Sequence, residues 1–349
     1  MCALANANGG DLVYGIGEKS GRADCIVPIP VTDHPIDRVK RRLSQILESD
    51  LEPSAVGVAM RAVPLANGDY VLVVRVAASF QRPHRTRSDA HWRWVVRVDT
   101  HTVDLTYDQI RDAFDRNATL AERARRFRDE RLSGVISGSI GRPLRAGPKC
   151  LVHLIPLASI AGRASVEIRL LYNANTYQAF ILPGWSSCSR SMNLDGLAVY
   201  PDSKTNDLAY TQIFRTGALE AARFVGALHV ENEEDRSAIP SGVVSGLIRD
   251  SLTQFLEAAA RWNIDGPAIA SVALLDVSGY SFAYQSRHYI TQRNPSDRSN
   301  LILPEFWIEQ LSRVRNADEI ARPLLDTLWQ SFDLECCMFY NDQGQWNMY

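Results

Sequence analysis

The fold of the first third of the chain is decided by Ala3-Leu4-Ala5-Asn6-Ala7-Asn8-Gly9-Gly10-Asp11-Leu12-Val13-Tyr14-Gly15-Ile16-Gly17. Small and apolar residues run directly into the glycine pair, and glycine commonly follows the last turn of a helix. The stretch therefore predicts the end of a helix, followed by a buried strand over residues 11–17. Gly9 and Gly10 let the backbone approach that strand closely, and the amides of Asn6 and Asn8 can hold the turn.

Periodic patterns predict the elements that follow. Apolar residues at helical spacing predict an amphipathic helix from Pro35, with a basic opposite face; the apolar residues are Ile36, Val39, Leu43, Ile46 and Leu47, and the basic ones Arg38, Lys40, Arg41 and Arg42. Asn67-Gly68 favours a hairpin between strands over residues 56–63 and 70–77. Another strand is predicted over residues 92–98. Two capping boxes, Thr106 with Gln109 and Thr119 with Glu122, predict two successive helices.

A segment rich in Gly, Ser and Pro, residues 133–148, indicates a linker between two domains, residues 1–132 and 149–349. In the second domain we predict strands over residues 151–157, 179–182 and 269–275, and helices over 243–262, 304–313 and 317–332. Both domains are therefore expected to be mixed α/β (α+β) structures. Residues 185–196 and 210–215 mix polar, arginine and aromatic side chains, which we interpret as loop packing.

The opening stretch resembles the Ala-Phe-Ala-Asn-Thr-x-Gly-Gly core of AlbA-2 domains, which occur in Schlafen proteins and in many bacterial regulator-like proteins. The helix from Pro35, the hairpin, the basic loop Arg82-Pro83-His84 and the strand ending in Val96-Arg97 follow in the family's order. The resemblance covers about residues 1–116 and implies a bacterial-type AlbA-2-like domain that lacks its first strand. Because the first helix is also too short to be stable alone, we expect residues upstream of Met1 in the natural protein.

The resemblance implies nucleic-acid binding, either to DNA or to RNA. The net charge of −2 predicts no overall attraction to a polyanion, so a binding site needs a local group of basic residues. Arginine offers a permanently charged fork for phosphate. We predict phosphate contacts from an arginine-rich loop and from the first long helix, through Arg82, Arg85, Arg87, Arg93, Arg97, Arg38 and Arg41. On the strand over residues 92–98 the tryptophans alternate with arginines, and we interpret the tryptophan side as core.

Two alternatives leave open whether the protein is an enzyme. Schlafen ribonucleases have a three-carboxylate site, and Glu18 matches its last member, just after the glycine-ended strand. The first two members have no counterpart here, so a metal-dependent endoribonuclease using Mg²⁺ or Mn²⁺ requires upstream carboxylates. Relatives described as ATP-binding suggest a nucleotide-binding regulatory module as the other alternative.

The remaining features favour a cytoplasmic protein without a membrane anchor. No run of about eighteen apolar residues occurs, and the amino terminus lacks the pattern of a secretory leader. The six cysteines are scattered without a CxxC pair, which is typical of buried free thiols in a reducing compartment. His84, His91 and His101 lack metal-ligand spacing, so no metal site is predicted from them. Oligomeric state and sequence specificity stay open.

Overall fold

The computed structural model describes residues 1–19, 21–54, 57–79, 82–88, 91–202, 207–226, 238–285, 290–291, 295–296, 298–341 and 343–347. Packing divides the chain into two compact units, Met1–Thr119 and Leu120–Tyr349. Helix and strand occur in nearly equal proportion, which confirms the mixed α/β class.

The first unit is built from short helices and antiparallel strands. Its helices are α1 (Cys2–Asn6) and α2 (Ile36–Asp50). Its strands are β1 (Gly10–Tyr14), β2 (Ile16–Lys19), β3 (Arg22–Ile26), β4 (Leu51–Glu52), β5 (Val58–Pro64), β6 (Tyr70–Val76), β7 (Arg85–Ser88), β8 (His91–Val98) and β9 (His101–Asp104). They form three sheets with the strand orders β1-β6-β5, β2-β3 and β4-β7-β8-β9.

The core of the first unit lies around β6, whose residues Leu72, Val74 and Val76 are almost completely buried. Cys2, Ala3 and Ala5 of α1, together with Leu51 and Val95, complete this core. The predicted apolar face of α2 packs against it through Ile36, Val39, Leu43 and Leu47. These side chains are partly buried, so each contributes less than the roughly 1.5–3 kcal/mol of a fully buried aliphatic side chain, and together they stabilise α2 against the sheet. Ile46, also predicted for that face, is exposed.

The glycine pair joins α1 to β1 where the chain passes close to β6. Gly9 has a φ of +80°, and a Cβ atom there would lie 2.6 Å from the carbonyl oxygen of Val76. Only glycine fits this position without displacing the strand. The expected single strand over residues 11–17 is wrong in two respects. Gly15, with a φ of +102°, separates β1 from β2, and most of both strands is exposed rather than buried.

One continuous helix, α3 (Tyr107–Ser137), replaces the two that the capping boxes predicted. The first box is confirmed: the Gln109 backbone N–H donates to Thr106 Oγ1 at 3.4 Å, and the Thr106 N–H donates to Gln109 Oε1 at 3.0 Å. The second prediction is wrong, because the Thr119 hydroxyl donates to the Asp115 carbonyl inside the helix.

The division between the units lies at residues 119 and 120, not within the segment 133–148 that we interpreted as a linker. Residues 133–137 are the last turn of α3. The physical reason is packing: Ala124, Leu132 and Val135 bury their side chains against the sheet of the second unit. The helix therefore contributes its carboxyl-terminal half to the second unit's core.

A long antiparallel sheet forms the second unit. The helices are α4 (Leu157–Ile160), α5 (Ile168–Asn173), α6 (Ser241–Arg261) and α7 (Asp318–Gln330). The strands are β10 (Lys149–Pro156), β11 (Cys188–Met192), β12 (Gly196–Pro201), β13 (Ala209–Phe214), β14 (Leu219–Phe224), β15 (Ala238–Pro240), β16 (Ala268–Leu275), β17 (Ser281–Gln285), β18 (Ile290–Thr291), β19 (Asn300–Ile302) and β20 (Phe306–Ile308). The long sheet has the order β11-β12-β13-β14-β10-β16-β19, β20 also pairs with β16, and a small sheet has the order β15-β17-β18.

Most predicted elements of the second unit are confirmed, as β10, β16, α6 and α7 show. Two are wrong. The strand predicted over residues 179–182 does not form, because its first two residues belong to a 3₁₀ helix, Asn175–Phe180. The helix predicted over residues 304–313 is instead β20 and a 3₁₀ turn. Pairing of β20 with the buried β16 overrides the helical pattern there.

Among the described residues, no helix is both long and apolar enough to cross a bilayer. All six cysteines are free, and Cys2, Cys150 and Cys337 are buried as expected. Cys25 and Cys336 are exposed, contrary to the expectation of uniformly buried thiols.

Candidate functional site

Asn6 ties the end of α1 to the hairpin formed by β7 and β8. Its side-chain amide donates to the carbonyl oxygens of His84 at 2.8 Å and Val95 at 2.7 Å, and its Oδ1 accepts from the His84 backbone N–H at 2.7 Å. Asn6 is buried, whereas Asn8 is exposed. Asn6 is therefore an internal support that positions the hairpin. Its side-chain amide binds the backbone of His84 and Val95.

His84 extends this support into the core. Its ring Nδ1 lies 2.6 Å from the Pro53 carbonyl oxygen, and Nε2 lies 2.5 Å from the Ser79 hydroxyl. Because a carbonyl only accepts, Nδ1 carries the proton and Nε2 accepts from Ser79. Burial lowers the pKa of His84, although the hydrogen bond to Pro53 opposes this effect. The neutral ring is thus the form that the fold accommodates.

The hairpin turns its tryptophans away from the core. Arg85 pairs with Trp94 and Arg87 with Trp92 across the two strands, so all four side chains share one side. The opposite side carries the buried Val95, against which α1 packs. The expectation that the tryptophan side is core is therefore wrong. The alternation itself was right, but α1 covers the other side of β8.

We call the solvent-facing side of this hairpin, with the residue that flanks it from α3, the aromatic–arginine face: Arg85, Arg87, Trp92, Trp94 and Phe114. The guanidinium carbon of Arg85 lies 4.8 Å from the ring centroid of Trp92 and 5.9 Å from that of Trp94. Phe114 meets Trp94 edge to face at 5.9 Å. Trp92 keeps 40% of its surface exposed, so part of its indole is open to a ligand.

Glu52 of the neighbouring β4 holds Arg85 in place. Glu52 Oε2 accepts from Arg85 Nε at 2.8 Å and from Nη2 at 2.5 Å. Both side chains are exposed, so the pair is weak in water and a phosphate can compete for the guanidinium. Arg87 is exposed and forms no ion pair with the residues the structure describes.

The other predicted arginines lie elsewhere. Arg93 and Arg97 project from the Val95 side of β8; Arg93 pairs with Asp104 at 2.7 Å, and Arg97 donates to the Asp99 carbonyl at 3.0 Å. Arg82 reaches back to the end of α1, where it donates to the Ala7 carbonyl at 3.0 Å. The structure thus brings together Arg85 and Arg87 but separates them from the other arginines of this region.

Arg38 and Arg41 are exposed on the outer side of α2 and form no ion pair within the described part of the chain. The end of α2 touches β7, because the Thr86 hydroxyl donates to the Asp50 carbonyl at 3.1 Å. Arg41 precedes Asp50 by nine residues, or about 14 Å along the helix axis. These two arginines therefore do not belong to the aromatic–arginine face.

Glu18 is not part of a metal site among the residues that the structure describes. It lies exposed on β2 beside a β-bulge. Within the described ranges, no group of three His, Cys, Asp or Glu side chains is arranged to hold a metal ion. A single exposed carboxylate does not fit Mg²⁺ or Mn²⁺, which need several oxygen ligands. Binding of ATP stays a prediction from resemblance.

Residues 1–106 match the family model described as Schlafen, AlbA_2. The match lies entirely within the first unit and confirms the predicted resemblance to AlbA-2 domains over these residues. The bacterial type of the domain and its missing first strand stay predictions. This family suggests a nucleic-acid-related function. No curated protein and no solved structure matches the chain.

The sequence analysis did not predict the contacts that Glu52 and Phe114 make at the aromatic–arginine face. Glu52 is 33 residues from Arg85 in sequence, and it stands opposite Arg85 only because β4 pairs with β7. Phe114 meets Trp94 because α3 begins beside β8. Neither contact is indicated by residues that are close in sequence. The exposure of Trp92 was indicated locally, because Val95, which is flanked by arginines, is the single apolar residue on its side of β8 between residues 93 and 97.

Proposed function

We propose that the aromatic–arginine face binds single-stranded nucleic acid, with one base stacked on Trp92 and the adjoining phosphates contacted by Arg87 and Arg85. The observation that carries this proposal is the half-open indole of Trp92 on a solvent-facing strand, beside two arginines. Bases of a single strand can leave their own stack and pack on an aromatic side chain, whereas paired bases are enclosed within the duplex.

The charges around the face support a modest electrostatic contribution. Arg87 is available to a phosphate, and Arg85 is available when Glu52 releases it. Arg38 and Arg41 add positive charge on α2. With so few phosphate contacts we expect the affinity to fall moderately with salt, while the stacking contribution persists.

The proposal is tested by fluorescence anisotropy of labelled 12-nucleotide RNA and DNA strands against the full chain, at two salt concentrations. We expect Trp92→Ala to weaken binding about 5- to 150-fold, since stacking on an aromatic residue is worth about 1–3 kcal/mol per base. Arg87→Ala should weaken binding less and should also reduce the salt dependence.

Trp307→Ala is the matched control, because Trp307 is exposed to 41% but lies on β20 of the second unit. It should bind like the wild type. Wild-type affinity in Trp92→Ala, or equal affinity of the wild type for a duplex and a single strand, would contradict the proposal.

A further inference from the structure

On β14 of the second unit, the guanidinium group of Arg223 has no carboxylate partner among the residues that the structure describes. In the long sheet Arg223 stands opposite Ala209 of β13 and Cys150 of β10, which are both fully buried. Its neighbour Ala222 packs with α3 residues, so Arg223 projects from the other side of the sheet. Its side chain is partly exposed, which leaves a route from solvent.

The segment before β11 wraps around this guanidinium. Arg223 Nη1 donates to the Pro183 carbonyl at 2.7 Å. The ring of Trp185 stacks on it with the guanidinium carbon 4.5 Å from the ring centroid. Gly184, with a φ of +94°, lies between them, and a Cβ there would be 3.8 Å from Nη2. Trp185, the first residue of a segment that we interpreted as loop packing, therefore forms a cradle with the preceding Pro183 and Gly184, with a carbonyl on one side and an indole on another.

Two other stacked arginines in this unit have carboxylate partners. Arg145 pairs with Asp207, and Arg249 pairs with Asp318 at 2.7 Å. Arg223 forms no ion pair with any residue that the structure describes. The nearby Cys150 supplies no negative charge, because burial raises the pKa of its thiol. Burial also lowers the pKa of Arg223 to about 10. A buried cation is normally paired, since removing it from water is costly.

We propose that Arg223 and the Pro183-Gly184-Trp185 segment form a binding site for a phosphate group. The planar guanidinium can donate two parallel hydrogen bonds to a phosphate, and the anion supplies a negative charge that none of the described residues supplies. The indole excludes water from one side of the pair and strengthens it. This site belongs to the second unit and is independent of the nucleic-acid interface proposed for the first.

Isothermal titration of the full chain with inorganic phosphate, at ionic strength held constant with sodium chloride, tests the proposal. We expect saturable binding to the wild type and at least about tenfold weaker binding to Arg223→Met, which removes the charged hydrogen-bond donors. Arg145→Met is the matched control, because Arg145 also lies over an aromatic ring but is exposed and paired with Asp207. It should bind phosphate like the wild type. Absence of saturable binding to the wild type, or equal binding to Arg223→Met, overturns the proposal.

Two further titrations identify the source of the phosphate. Tighter binding of adenosine monophosphate than of inorganic phosphate, with the difference lost in Trp185→Leu, assigns the site to a phosphate ester. Equal binding of the two assigns it to free phosphate. Acetate that binds as tightly as phosphate would overturn the assignment in favour of a carboxylate.

A measurement without a variant covers the case in which Arg223→Met fails to fold. The wild-type chain is treated with phenylglyoxal, which modifies arginine, and the modified peptides are quantified by mass spectrometry. Phosphate should slow the modification of Arg223 severalfold and leave that of Arg145 unchanged. Equal rates at Arg223 with and without phosphate would overturn the proposal.

Discussion

Two arginines of this chain have the same kinds of neighbour and opposite surroundings. Arg85 pairs with Glu52 and stacks on Trp92, with 36% and 55% of the two charged side chains exposed. Arg131 pairs with Glu220 and stacks on Phe214, with 5% and 0% exposed. An exposed ion pair contributes about 0–1 kcal/mol and exchanges readily with solvent or a ligand. The difference teaches that burial, rather than residue type, decides whether such an ion pair is exchangeable or stabilises the fold.

The buried pair is part of a closed hydrogen-bond network. Glu220 accepts from Arg131 Nε at 2.9 Å and Nη2 at 2.8 Å, from the Tyr210 hydroxyl at 2.8 Å, and from His153 Nε2 at 2.9 Å. Burial alone would raise the pKa of Glu220, but the hydrogen bonds from Arg131 and His153 outweigh it and hold the pKa well below its ordinary value. The network links α3 to three strands of the long sheet.

The largest effect expected from this comparison is that of Glu220→Gln. It leaves the Arg131 charge buried without its main partner, which we expect to destabilise the second unit by about 3–5 kcal/mol. Hydrogen exchange of β14 peptides, analysed by mass spectrometry, measures this locally, because a chain of two units need not unfold in one step. The matched exposed variant, Glu52→Gln, should change the stability of the first unit by less than about 1 kcal/mol. Equal effects of the two substitutions would break the comparison.

A smaller, pH-dependent effect is expected in the first unit from His84. Burial lowers the pKa of His84 below 6.5, so in acid the unfolded chain takes up a proton that the folded chain excludes. This part of the stability is present above pH 6.5 and is lost progressively as the pH falls below it. Hydrogen exchange of β6 peptides should therefore show weaker protection at pH 5.5 than at pH 7.5, after correction for the intrinsic exchange rate.

His84→Gln retains a polar side chain that does not titrate and serves as the control. The variant should be less stable at pH 7.5 but should show a smaller difference between the two pH values. An unchanged pH dependence in this variant would show that another group is responsible.

The sequence was sufficient for features set by neighbouring residues. The glycine pair, the apolar face of α2 and the Asn67-Gly68 hairpin depend on local spacing, and all three are confirmed. The mixed α/β class follows from the same patterns.

Features set by distant contacts were not predictable in this way. Asn6 meets Val95 across 89 residues, and that contact places α1 over one side of β8 and leaves Trp92 outside. Arg93 differs from Arg85 only in which side of the sheet it faces. Helix α3 continues past Thr119 because its later residues pack against the long sheet. The capping pattern is local and could not indicate this packing.

The smallest expected effect sharpens the comparison from the exposed side. Glu52→Gln releases Arg85 from its ion pair, and a freed guanidinium should bind phosphate better. We expect the affinity for single-stranded nucleic acid to rise about two- to fivefold, because an exposed pair is worth less than about 1 kcal/mol. Anisotropy at low salt measures this, with Asp104→Asn as the control because its partner Arg93 faces the other side of β8. An equal gain in the two variants would point to net charge rather than to the aromatic–arginine face.

Photocrosslinking addresses the central claim most directly. An oligonucleotide that carries 5-bromouracil is irradiated with the full chain, and crosslinked peptides are sequenced by mass spectrometry. We predict that Trp92 is the main crosslinked residue, with the crosslink reduced by an excess of unlabelled single strand but not of duplex. Crosslinks confined to residues outside the aromatic–arginine face, with none at Trp92, would contradict the account.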